Sequence, residues 1–139
     1  MIPEQAVTTY LQGHGFPDAT STMRGITGTG RIWWDVTTLS AEHAGDTLIA
    51  DWVEDTRRSA RRRGASLGVL VTPQKDFGPA RVASWWAHLP VDALARAMRG
   101  ALDLPDEVAS GPVRMYLSTA VLLTRAAGYG TPIGMETAA

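Results

Sequence analysis

The chain has 139 residues, 45% of them hydrophobic and 19% charged, with a net charge of −1 and no cysteine. This suits one globular domain with its own core and excludes a disordered chain, a polycation, disulfides, cysteine–zinc sites and thiol nucleophiles. No apolar run spans a bilayer, and Met1-Ile2-Pro3-Glu4-Gln5 lacks the basic-then-apolar pattern of a signal peptide, so a cytoplasmic protein with no membrane partner is expected.

Pro3 fits the first turn of a helix running to about Gln12, with Ala6, Val7, Tyr10 and Leu11 as its apolar stripe. Gly13 and Gly15 end it. Residues 18–30 are rich in Gly and Thr and read as loop, with a short strand near Ile26. Residues 31–38 read as a strand of β-branched and aromatic residues. Side chains alternate along a strand, so Trp33, Asp35 and Thr37 share one face and Ile32, Trp34 and Val36 the other.

Ser40 is the candidate N-cap of a helix from about Ala41 to Arg63. Its buried stripe is Ala44, Leu48, Ile49, Trp52, Val53, Thr56 and Ala60, and Gly64 stops it. Leu67 to Thr72 is a nearly continuous apolar run, as in a central buried strand. Pro73 to Pro79 reads as a turn, Arg81 to His88 as a strand, and Val91 to Leu102 as a short amphipathic helix. The stretch 103–112 reads as loop, and Val113 to Ala127 as a strand to Ser118 followed by a helix. The prediction is one α/β (α+β) domain over 1–128, a single small mixed sheet flanked by helices, with a flexible tail at 129–139.

Four features carry chemistry. Asp35 is a candidate metal ligand, but a magnesium-dependent nuclease needs about two carboxylates and usually a Lys beside the attacking water. Arg57, Arg58, Arg61, Arg62 and Arg63 cluster at one helix end. Arg58, Arg61 and Arg62 share a face there, which suits phosphate binding or simply the helix dipole. Arginine dominance, with Lys75 the only lysine, fits phosphate contact or the codon usage of a GC-rich genome. The pairs Trp33-Trp34 and Trp85-Trp86 put one indole on each face of the sheet, as an interface if one face is open or as core if helices cover both. His14, His43 and His88 have no metal-ligand spacing and read as surface or turn residues. No Gly-x-Ser-x-Gly elbow or phosphate loop occurs.

Taken with the element order, several segments resemble the small Holliday-junction-resolvase-like proteins of the PD-(D/E)XK nuclease superfamily, of the kind carried by phages. They are residues 10–17, 24–28, 33–37, 50–53, 64–71 and 86–90. The resemblance implies a restriction-endonuclease-like αβββαβ core. Gly25 stands where that family has a metal-binding Asp, Asp35 where it has Glu, and Thr37 where it has Lys. It therefore implies a nuclease frame kept for binding DNA or a host protein, without a cofactor. Arg57, Arg58, Arg61, Arg62 and Lys75 would meet nucleic acid, and Trp33, Trp34, Trp85 and Trp86 a partner. The alternatives are an active endonuclease using Mg2+ with Glu4, Asp35 and Lys75, and a homodimeric assembly protein.

Overall fold

The computed structural model describes residues 2–22, 24–98 and 111–134. Helix α1 (Pro3–Gly13) carries a proline in its first turn and buries Ala6, Val7 and Leu11. A meander of β1 (Thr20–Ser21), β2 (Ile26–Thr27) and β3 (Ile32–Val36) follows, each strand antiparallel to the last. Helices α2 (Ala41–Ala44) and α3 (Asp46–Arg62) then carry the chain to β4 (Leu67–Thr72). A parallel strand pair needs such a crossover, and β4 runs parallel to β3 from Ile32↔Leu67 to Val36↔Val71. A short 3-10 helix (Pro79–Ser84), β5 (Trp86–Pro90), α4 (Val91–Ala97), β6 (Pro112–Tyr116) and α5 (Leu117–Ala126) complete the chain. The six strands form one mixed sheet in chain order.

The expected single mixed sheet flanked by helices is present, and the order α–β–β–β–α–β runs through Thr72. Three boundaries differ from the sequence reading. The long helix breaks at Gly45, whose φ of +79° is a left-handed conformation that no helix continues. Residues 79–84 are 3-10 helix and the strand starts at Trp86, not at Arg81 as expected, because Pro79 starts a turn and Val82 is turned into the core. The expected tail is tied down over its first residues: Thr131 N–H donates to Gly15 O at 2.8 Å, and Tyr129 Oη bonds Ser66 Oγ at 2.8 Å. The stretch 99–110 and residues 135–139 lie outside the described residues.

The sheet has a large core on one side and a smaller one on the other. Ile32, Trp34, Leu67, Val69, Val71, Ala87 and Leu89 face α1 and α5, with Leu11, Phe16, Trp85 and Leu117 closing that core. Leu70 points the other way, into a cluster with Ala41, Ile49 and Val53. Strand β4 is thus covered on both faces, which is why its sequence is an unbroken apolar run. Among the described residues, no helix is long and apolar enough to cross a membrane.

Candidate functional site

Asp35 lies on the β3 face that looks toward α3. Thr56 Oγ1 donates to its Oδ2 at 2.8 Å. The Trp33 indole N–H, buried but short of a full hydrogen bond, adds to the pull on the same carboxylate. Burial raises the Asp35 pKa; Thr56, Trp33 and the Arg63 charge lower it, Asp55 raises it, and the net shift is upward. Glu4, in the first turn of α1, is raised by burial and then by the Asp35 charge. The Asp35 charge thus reaches Glu4, whereas Glu4 is not among the groups that shift Asp35.

The rest of the expected constellation is not assembled. Gly25 lies against the Trp33 ring. A Cβ there would come within 2.5 Å of both Trp33 Cζ2 and the Trp34 carbonyl oxygen, so no aspartate fits. The indole fills the space beside Gly25 and is 3% exposed. Thr37 is committed to a turn, its hydroxyl donating to Leu39 O at 2.9 Å. Lys75 is exposed, and its backbone N–H donates to Glu42 at 3.1 Å. The cation that acts on Asp35 is Arg63, not Lys75. Among the described residues, no group of three or more His, Cys, Asp or Glu side chains is arranged to hold a metal.

Arg63 carries this corner into a second region. Its guanidinium stacks 3.8 Å from the Trp33 ring centroid, a cation–π contact. Arg63 also lines an open groove of about 430 Å³ with Arg31, Thr22 and Thr27. Beside it, a groove of about 290 Å³ is lined by Arg57, Arg61 and Arg96. A third, of about 420 Å³, is lined by Arg31, Arg96 and Tyr129. Ser66 is shared by the last two, and Arg31 by the first and third. The three adjoin where β3 and β4 begin and β5 ends.

The predicted basic set divides accordingly. Arg57 pairs with Asp92 at 3.3 Å, and Arg58 with Asp55 at 3.1 Å. Arg62 donates to Ser59 Oγ at 3.0 Å. Lys75 does not join them: it follows the far end of β4, and six strand residues, about 20 Å, separate it from the close of α3. Arg31, Arg61 and Arg96 have no carboxylate partner among the described residues, and Arg63 makes no ion pair there, although its charge acts on Asp35. Arg31 and Arg96 escaped sequence reasoning because they stand far from the α3 cluster in the chain; the pairing of β3 with β4 brings Arg31 to it, and that of β4 with β5 brings Arg96.

The tryptophans do not form the exposed patch that an open sheet face would give. Trp33, Trp34 and Trp85 are buried, with Trp34 Nε1 donating to Thr29 Oγ1 at 3.0 Å and Trp85 Nε1 to Phe77 O at 2.8 Å. Thr29 explains the Gly/Thr turn as a support for Trp34. Of the two Trp pairs, Trp86 alone is partly exposed, stacked on Tyr116 and donating to Glu42 Oε1.

His88 is not a surface residue. It is 2% exposed, and its Nε2 is 2.9 Å from Thr72 Oγ1. Burial, then the Arg114 charge, pushes its pKa down to about 4 against the opposing pull of Glu42. No sequence signal marked it, because a single His in a strand has no spacing to read.

Comparison of the chain with family models, with curated proteins and with solved structures yields no match.

Proposed function

We propose that this chain is a DNA-binding protein on a nuclease-like frame without hydrolytic activity, and that DNA is held at the arginine-lined end of the sheet. The observation that carries this reading is the set of adjoining grooves lined by Arg31, Arg61, Arg63 and Arg96, none in an ion pair among the described residues. Clustered arginines without internal partners suit phosphate oxygens, which take the guanidinium fork in two parallel bonds. The loss of hydrolysis rests on Gly25 and Thr37: the first has no room for a side chain, and the second is held in a turn.

Binding of labelled duplex DNA at rising salt tests the reading. Four phosphate contacts predict a log–log slope of about −3.6, or roughly a hundredfold loss between 50 and 200 mM salt. Binding that ignores salt, or magnesium-dependent cleavage that stops in Asp35→Ala, would overturn it.

One observation favours a second reading, the active endonuclease: the Asp35 charge acts on Glu4, and both carboxylates carry a burial penalty. Retaining a costly charge marks a site kept for function more often than for stability. Glu4 and Asp35 would hold Mg2+, which would polarise a phosphoryl oxygen and acidify bound water. Arg63 would take the place of the missing lysine. Magnesium titration followed by the tryptophan fluorescence of Trp33 decides it: saturable quenching lost in Asp35→Asn supports a metal site, and an unchanged spectrum removes it.

A further inference from the structure

Resting on the DNA-binding reading, we infer that the arginine end reads the phosphate backbone of a duplex and makes no use of bases. Single-strand binders stack bases on exposed aromatic rings. Here Trp33 is 3% exposed, with Arg63 lying over its ring. Tyr129 is half-buried against the core, and its hydroxyl is tied to Ser66. Among the described residues, no other aromatic side chain lines the three grooves.

Base reading in a duplex is done mostly by side chains that a projecting helix, ribbon or arm carries into a groove. The arginines here line concave grooves instead, and between them stand Gly30, Ala65, Ser66 and Gly68. Those residues are too short to reach a base edge. The grooves span the ends of β3, β4 and β5, which are neighbours in the sheet. Two strand spacings separate the outer pair, about 10 Å. That is close to the width of a duplex groove, about 12 Å for the major groove. Cations set this far apart can meet phosphates on both strands of one duplex, which a lone strand does not offer together.

The test measures binding of the full chain to two short duplexes of unrelated sequence and to a single strand of matching length, each across a salt series. The inference expects the two duplexes to bind within threefold of one another and the single strand to bind more weakly. Arg31→Ala and Arg96→Ala should each weaken both duplexes alike and make the salt slope shallower by about one. A larger preference between the duplexes, or single-strand binding at least as tight, would overturn the inference and leave DNA binding standing. Failure to bind any of the three would overturn both.

Discussion

Trp33 divides two charged regions that the fold treats in opposite ways. On one side Asp35 and Glu4 are drawn partly out of water and pushed toward their neutral forms. On the other, Arg31, Arg61 and Arg96 remain in water with no internal partner among the described residues. The carboxylate corner is thus partly buried and carries a desolvation cost, whereas the arginine end is exposed and carries no such cost. A region with a desolvation cost and one without it leave different marks when mutated, so the contrast can be measured.

The largest effect should come from removing the divider. Trp33→Ala should cost about 3–5 kcal/mol, as expected for a large buried aromatic, read as a shift in denaturant midpoint. It should also make the DNA salt slope shallower, because Arg63 loses the ring it lies on. Loss of stability with an unaltered slope would separate the two regions completely.

His88 supplies a yardstick outside both regions. Its folded pKa of about 4 lies below the ordinary value of 6.5. Below pH 6.5 the unfolded chain takes a proton that the folded chain refuses, so stability is complete above pH 6.5 and falls toward pH 4. The loss should reach roughly 3 kcal/mol, and His88→Gln should flatten that part of the pH profile of Tm.

Gly25→Ala should cost about 1–3 kcal/mol through overpacking. In the Trp33→Ala background the cost should shrink without vanishing, because the Trp34 carbonyl still lies 2.5 Å from the new Cβ. Full rescue would mean that the indole alone had closed the corner.

Asp35→Asn sharpens the comparison by sign. The folded pKa of Asp35 is raised above 3.8. As pH climbs through that window the unfolded chain ionises first, and stability is lost. The variant escapes this and keeps an acceptor for Thr56. Its Tm at pH 7 should exceed that of the wild type, and the gain should fade at low pH. The smallest effect belongs to Arg58→Ala, whose exposed pair with Asp55 should contribute within about 0.5 kcal/mol. It should bind DNA almost as the parent does, whereas Arg31→Ala should not.

The frame was legible where local pattern decides it. The alternation in β3, the apolar run of β4 and most of the stripe of α3 each name a face, with Ile49, Val53, Thr56 and Ala60 buried as the pattern put them; Leu48, expected in that stripe, is exposed because it lies at the edge of the buried face in the first turn after the break at Gly45. The site was legible only in part. Asp35 stood out as a lone acid on a strand, but its neighbour Thr56 lies 21 residues away. Nothing in sequence links Arg31 to Arg96; they meet because three strands end together. The Trp pairs misled for the same reason. Adjacent indoles do point to opposite faces, but helices cover both, a matter of packing that periodicity does not carry.

The tie between the end of the chain and its beginning bears on how the fold is reached. Arg125 donates to the carbonyls of Thr131 and Pro132 and, at 3.5 Å, to that of His14, a partner 111 residues away. Contacts this distant close a large loop at an entropic cost that nothing local offsets until the sheet is assembled. The clasp is accordingly a late step in folding and the first to let go. Amide exchange at Thr131 should run ahead of exchange in β4, so α1 and the C-terminal segment breathe together while the middle of the sheet stays shut.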